Sequence, residues 1–363
     1  LAKFFMPLSP LRYGLAICLC LTGPSAYGEV PRKNEAPSNN TEGEGKEAGG
    51  FSVMTWNLEW FYDDSKKDNY SQLALEKASP SRGEWNWKRD AVADAIAKVK
   101  PSVLAVQEIE GQRVLWYLTR ALDREHKLEY NEFVVEGNDF FTEQDVGLLV
   151  TEPVDVVSMM RGNVTSRMKK TKKFGSVSKH VAAILEVPVG NSVESVLVVN
   201  VHFRSGEKGA AIRAKQATSL NHWIARWRTS LGSPHVIVTG DFNTEQSAGM
   251  IQENSELAIL LSRSTLETDD DLIDLHESIP MQSRQTHLNP GKQFDRILAS
   301  RSLVEDTRGV ADLTLRRVEV RRDLVVQGNV DTPTQHWDEY WKSSSNERDL
   351  SDHYPVVAEF IVQ

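Results

Sequence analysis

The chain has 363 residues, with 42 Lys and Arg against 51 Asp and Glu for a formal net charge of −9, and it is 40% hydrophobic and 26% charged. It is too apolar for wholesale disorder and too charged for a multispanning membrane protein, and its length accommodates one large α/β domain or two ordinary ones. The acidic balance excludes a histone-like or polybasic binder, which needs excess cations to displace phosphate counterions, but it leaves room for a local basic groove.

The first stretch carries Lys3 and Arg12, an apolar run from Gly14 to Leu21, and small residues at Ala26 and Gly28. That order reads as a secretory signal over residues 1–28, cleaved before Glu29. Acylation at Cys18 or Cys20, or an N-terminal core helix, stands as an alternative. The apolar run is shorter than the roughly 18–20 residues that span a bilayer, so no stable membrane insertion is expected after cleavage. Removal of this segment takes away both cysteines and two cations and leaves a formal charge of −11. The mature chain must then be held by its core rather than by disulfides. Residues 29–50, rich in Gly, Asn, Glu and Pro, read as a disordered linker. No second linker or repeat follows, so 51–363 is expected to be one domain, exported to the periplasm or medium as a monomer.

Within that domain short apolar runs alternate with helical patterns, which indicates an α/β architecture. Phe51 to Leu58 reads as a strand. Val92, Ile96 and Val99 mark a helix over 85–99, which Pro101 stops before a strand at 103–106. Further strands are expected at 145–150, 181–187, 195–203, 235–239, 294–299 and 355–361. A helix over 209–228 presents Ile212, Leu220, Trp223, Ile224 and Trp227 on one side, and Arg213 with Gln216 on another face.

Polar residues recur at the ends of these strands. Asn57, Glu108, His202, Asp241 and Asn243 follow strands, Asp295 begins one, and Ser351-Asp352-His353 precedes the last. Strand ends are rigid mounts on which distant side chains can converge. Carboxylate and amide oxygens suit Mg²⁺, with Mn²⁺ as a substitute, and are poor ligands for zinc or copper. Zinc spacings, a P-loop and a Gly-x-Ser-x-Gly elbow are all missing from the sequence. Carboxylates, amides and histidines without a covalent nucleophile fit metal-assisted attack of water on phosphorus.

The segments Thr55-Trp56-Asn57-Leu58, Gln107-Glu108, Asn200-Val201-His202-Phe203, Gly240-Asp241-Phe242-Asn243, Phe294-Asp295-Arg296-Ile297-Leu298 and Ser351-Asp352-His353-Tyr354-Pro355 appear in the order seen in the endonuclease/exonuclease/phosphatase superfamily. The chain resembles that family, which includes deoxyribonuclease I, over about 51–363. The resemblance implies a four-layer α/β/β/α sandwich of two packed mixed sheets flanked by helices. It implies that Asn57, Glu108 and Asp352 gather round a divalent metal, that Asp241 orients or deprotonates water, and that Asn243 holds a phosphate oxygen. His353, fixed by Asp295, would bond the scissile phosphate, and His202 would be a second phosphate-facing histidine.

Lys179, Arg204 and Arg213 are candidate substrate contacts, although Arg213 could equally hydrogen-bond a loop as scaffold. The segment 161–180 holds seven Lys or Arg and no acid. It is either a solvated loop or a set of phosphate contacts. Here the chain departs from the family's Arg-x-Pro pattern, having Ser178-Lys179-His180. Trp60, Phe61 and Tyr62 are expected to pack, with a substrate groove as the alternative. The expected activity is a Mg²⁺-dependent phosphodiesterase, foremost an endonuclease on DNA or RNA. A phospholipid or inositol phosphate substrate and an inactive binding module are the alternatives.

Overall fold

The computed structural model describes residues 50–362 apart from 138, 161–174, 232–234, 263–270 and 306–311. The signal and linker readings and most of the basic segment fall outside the described residues, which themselves belong to one compact unit. Among the described residues no helix is long and apolar enough to cross a membrane.

The strands in chain order are β1 (Gly50–Phe61), β2 (Val103–Ile109), β3 (Asn131–Val134), β4 (Asp145–Val150), β5 (Asp155–Met160), β6 (Lys179–Val189), β7 (Ser192–His202), β8 (Val236–Asp241), β9 (Leu272–Asp274), β10 (Asp295–Ser300), β11 (Leu313–Val320) and β12 (Val356–Val362). They form two six-stranded sheets, ordered β11-β12-β1-β2-β4-β3 and β5-β6-β7-β8-β10-β9. β1 runs parallel to β2 and β7 parallel to β8, and every other pairing is antiparallel, so both sheets are mixed.

The period-two pattern of the strands explains the layers. In β2, Val103 and Ala105 join the core between the sheets, while Leu104 and Val106 face the helix-covered side. In β7, Val196 and Val198 point inward, whereas Leu197, Val199 and Val201 point outward. Helices α1 (Gln72–Lys77), α2 (Arg82–Val99) and α3 (Gln112–Ala121) follow β1 and β2, with Trp85, Val92, Ile96 and Leu118 sealing the first sheet. Helix α4 (Ala210–Leu231) covers the second sheet with Leu220 and Trp223. Two short helices complete the set, α5 (Glu256–Leu260) and α6 (Pro333–Asp338). The architecture is the expected four-layer sandwich.

Helix α2 begins three residues earlier than the apolar spacing suggests because Ser81 caps it, accepting from the Glu84 N–H at 3.3 Å. It ends at Lys100 in the left-handed region, just before Pro101. The short strands β3 and β9, the edge strands β5 and β11, and helix α3 were not apparent from apolar patterning. Edge strands bury only part of their side chains, so half of β11 is polar and its burial falls away after Thr314.

A buried polar lock joins the sheets directly below the cleft. Asn200 of β7 donates to the Val106 carbonyl at 2.9 Å and the Gly147 carbonyl at 2.8 Å, and its Oδ1 accepts from Gln107 Nε2 at 2.7 Å. All three protein partners lie in the opposite sheet, so the lock fixes the spacing between the strand ends that carry the site. Gly240 is required one residue before Asp241. A Cβ there would lie 2.0 Å from the Val201 carbonyl oxygen, and its φ is +131°.

Candidate active site

A cleft of about 310 Å³ opens at the ends of β1, β2, β7 and β8 and at the beginnings of β6, β10 and β12. Glu108, Lys179, His202, Asp241, Asn243, Asp352 and His353 line it. Their residues span most of the domain, so the tertiary fold alone gathers them.

At its centre Asp241 is fully enclosed by donors. Its Oδ2 accepts from Asn57 Nδ2 and Asn243 Nδ2, each at 3.1 Å, and its Oδ1 accepts from the Asn243 N–H at 2.7 Å. His202 Nε2 lies 3.5 Å from Asp241 Oδ2, and His353 Nε2 lies 3.9 Å from the same oxygen. His353 is held through Nδ1 by Asp295 Oδ2 at 2.8 Å. Its backbone is tied down too: the N–H donates to Ser351 Oγ at 3.0 Å and the carbonyl accepts from Trp56 Nε1 at 3.2 Å. Ser351 Oγ in turn donates to the Asn57 carbonyl at 2.8 Å, coupling the two segments.

The two histidines are driven to opposite charge states. Burial, aided by the charge of Lys179, pushes His202 down to about 3, so it is neutral. Burial also opposes a charged His353, but Asp295, Asp352 and Asp241 outweigh it and hold the ring protonated well above the ordinary histidine range. The cleft therefore offers one imidazolium and one neutral imidazole, the second able to donate from one nitrogen and accept at the other.

Glu108 is pushed up to about 7 by burial and then by the nearby Asp352 carboxylate. Its Oε1 accepts from Asn57 Nδ2 at 3.1 Å and its Oε2 from the Trp60 N–H at 3.2 Å. Glu108 and Asn243 both adopt left-handed backbone, with φ of +58° and +47°. For a glutamate that conformation is uncommon and turns the side chain into the cleft. Asp352 accepts from Trp337 Nε1 at 3.0 Å, lies 3.5 Å from His287 Nε2, and is kept below the usual carboxylate range because His353, His287 and His336 outweigh its burial.

Carboxylates gathered at one mouth, with Glu108 buried and raised by its neighbour Asp352, are what a hard divalent cation would neutralise, so the donor set fits such an ion. The atoms that lie within 4.8 Å of one another form neighbouring sets, Glu108 with His202 and Asp241, and His287 with Asp352 and His353. Asn57 departs from its expected part as a metal ligand. Its amide NH₂ faces Glu108 and Asp241 while its Oδ1 accepts from the Glu59 N–H at 3.0 Å, since two carboxylates beside it call for a donor. It bridges the acids rather than presenting an oxygen.

Arg213 is a second correction. It is wholly buried on α4, with Nε 3.1 Å from Glu256 Oε1 and Nη1 donating to the Arg204 and Gly206 carbonyls at 3.1 and 2.7 Å. Gln216 accepts from the Arg204 N–H at 3.0 Å. Both side chains support the loop from which exposed Arg204 reaches the cleft, which is the scaffold reading of that helix face. Lys179 begins β6 and lines the cleft, bonded to Asp139 at 2.9 Å and Gln144 Oε1 at 2.8 Å. Phe61 and Tyr62 are buried packing residues, whereas Trp60 is half-buried and lines the cleft.

Sequence reasoning missed His287, Asp139 and Trp337. His287 forms a bridge with His353 and its ring lies 4.7 Å from that of His353. Each stands alone in a loop or short helix, where only proximity in the fold reveals a role.

A four-layer sandwich with acids, amides and a carboxylate-held histidine at one mouth defines a phosphoesterase. A model of the Endonuclease/Exonuclease/phosphatase family matches residues 54–353, and the chain belongs to this family, whose members hydrolyse phosphoester bonds and generally use a divalent metal. Among curated proteins none matches the sequence. Solved structures share the fold. The endonuclease/exonuclease/phosphatase from Bacteroides vulgatus is similar with a TM-score of 0.54 and 16% identity, over 87% of this chain and 100% of that one. The human nocturnin catalytic domain with bound sulfate anion gives 0.52 and 15%, over 86% and 95%. A mannosyl-6-phosphatase from Bacteroides thetaiotaomicron gives 0.52 and 17%, over 86% and 99%.

Proposed function

We propose that the chain is an exported, Mg²⁺-dependent phosphodiesterase that cleaves DNA or RNA internally by attack of water, with Mn²⁺ able to substitute. The observation that carries this reading is the approach of Asp241 and the Asp295-held imidazolium of His353 to within 3.9 Å in one cleft. That pair places a proton acceptor beside a cationic donor, the combination hydrolysis of a phosphodiester requires. Asp241, steadied by Asn57 and Asn243, orients water and takes its proton. His353 donates from Nε2 to a phosphoryl oxygen and offsets the charge that develops there, and neutral His202 adds a further hydrogen bond. Asp295 keeps the His353 ring in one orientation and favours its protonated form. Glu108 and Asp352 would hold the divalent ion, which supplies Lewis-acid stabilisation of the phosphoryl oxygens.

Export rests on the signal-like residues 1–28. A nucleic-acid substrate draws support from Lys179 and Arg204 at the cleft and from the cationic composition of 161–180. The test is nicking of plasmid DNA and cleavage of RNA by the mature protein, with Mg²⁺ and then with EDTA. Cleavage that stops with EDTA and returns with Mg²⁺ is expected. Cleavage indifferent to EDTA, or no cleavage of any nucleic acid while vesicle phospholipid or inositol phosphate is hydrolysed, would overturn the reading.

A further inference from the structure

A second cleft, of about 340 Å³, adjoins the catalytic one, and Trp60 lines both. Trp60, Trp337, Tyr340 and Trp341 supply its aromatic walls. Three of them come from one short segment after β11. Helix α6 starts there with a full capping box, in which Thr332 and Gln335 satisfy each other's backbone N–H groups, and with Pro333 at its first turn. His336 anchors the helix from below, with Nε2 2.5 Å from Glu59 Oε2 and Nδ1 2.9 Å from Asp331 Oδ2. Arg348, ion-paired with Glu84 at 2.8 Å, lies 5.1 Å from the Tyr340 ring and 5.0 Å from the Trp341 ring. The walls are thus fixed before any ligand arrives, which lowers the ordering cost of binding.

Three contacts tie this cleft to the chemistry. Trp337 donates its indole N–H to Asp352 at 3.0 Å and its ring lies 6.3 Å from that of His287, while the Trp60 N–H bonds Glu108 at 3.2 Å. A group seated among these rings therefore belongs to the residue next to the scissile phosphate. The charges in the lining nearly cancel, with Lys77, Lys88 and Lys342 against four carboxylates. A groove for phosphate would be net cationic. Aromatic walls with balanced charge suit a neutral planar ring.

We infer that the cleft walled by Trp60, Trp337, Tyr340 and Trp341 is a nucleobase subsite that receives the base flanking the cleaved phosphate. This rests on the nucleic-acid reading above. It favours an unpaired base over a paired one, because a base stacked in a duplex enters a side cleft only at the cost of leaving its stack.

The test is kinetic, on a short single-stranded oligonucleotide with one cleavable phosphodiester and all other linkages blocked as phosphorothioates. An abasic tetrahydrofuran residue replaces the nucleotide on one side of that phosphate or the other. With wild-type protein, removing one of the two flanking bases should raise KM by roughly 5- to 100-fold, the range of a lost base–aromatic stack. Trp341→Ala should bring the intact substrate to the KM of the abasic one with kcat unchanged, and Trp341→Phe should restore discrimination. Equal KM for intact and both abasic substrates in the wild type overturns the subsite and leaves the nuclease reading standing. No cleavage of the intact oligonucleotide, with hydrolysis of a simple phosphate ester, removes the nuclease reading and the subsite with it.

Discussion

In each sheet a parallel pair, β1 with β2 and β7 with β8, lies between antiparallel neighbours in the same order, so the two halves offer matching strand ends to one cleft. Glu108 ends β2 and Asp241 ends β8. Ser351-Asp352-His353 leads into β12, and Ser178-Lys179-His180 leads into β6. At these matched places the chemistry diverges. His353 faces the cleft, bonded to Asp295, whereas His180 is buried under α4, 4.9 Å from the Trp223 ring and bonded to the Val177 carbonyl at 2.6 Å. Asp352 brings negative charge on one side, and Lys179 brings positive charge on the other, balanced by Asp139, which it holds well below the usual carboxylate range despite burial. In the proposed reaction the first sheet would supply the cation-holding acids, Glu108 and Asp352, and the second most of the groups that would meet water and phosphate. Similar backbone leaves the choice of partner to decide what a side chain does.

That division can be broken one side at a time. The largest effect is expected from Asp241→Asn or His353→Ala, each lowering kcat by about 10²- to 10⁴-fold at saturating metal. Steady-state rates with a thermal melt check this, and near-wild-type turnover in either variant would remove that residue, Asp241 from the second sheet or His353 from the first, from the chemistry. Glu108→Gln should act through the metal, raising the Mg²⁺ concentration for half-maximal rate by at least about tenfold; a Mg²⁺ titration that superimposes on wild type contradicts the assignment. Lys179→Met should raise KM by roughly tenfold and flatten its salt dependence with little change in kcat, as loss of one phosphate contact would; rates across an ionic-strength series measure it.

The smallest effect concerns His336, which anchors helix α6. Burial opposes a charged His336, yet Glu59 and Asp331 raise it to about 10. Its contribution to stability is complete below the unfolded value near 6.5 and disappears as pH rises through about 10. Denaturant midpoints should therefore fall over that window in the wild type and fall less in His336→Gln. An equal decline in both would show that His336 is not the group responsible.

The central strands β1, β2, β4, β6, β7, β8, β10 and β12 were legible because Val, Ile and Leu recur in the short apolar runs that buried strands need. So were Glu108, Asp241, Asn243, Asp295, Asp352 and His353, which stand in ordered motifs at strand ends. Asn57 and Arg213 were legible as positions, but the partners they meet were not. An amide flanked by two carboxylates turns its NH₂ toward them, and a guanidinium enclosed beside Glu256 is spent on its own loop. Neither neighbour is near in sequence.

By itself the sequence determined the α/β class, most of the site's acids and histidines and, through the family that its ordered motifs resemble, the four layers, because periodicity and local motifs are properties of consecutive residues. Tertiary structure decided which of those groups meet, which histidine carries charge, and that Trp337 and Trp341 stand beside the catalytic cleft. Charge state and contact depend on distances between segments far apart in the chain, and only packing of the two sheets sets those distances.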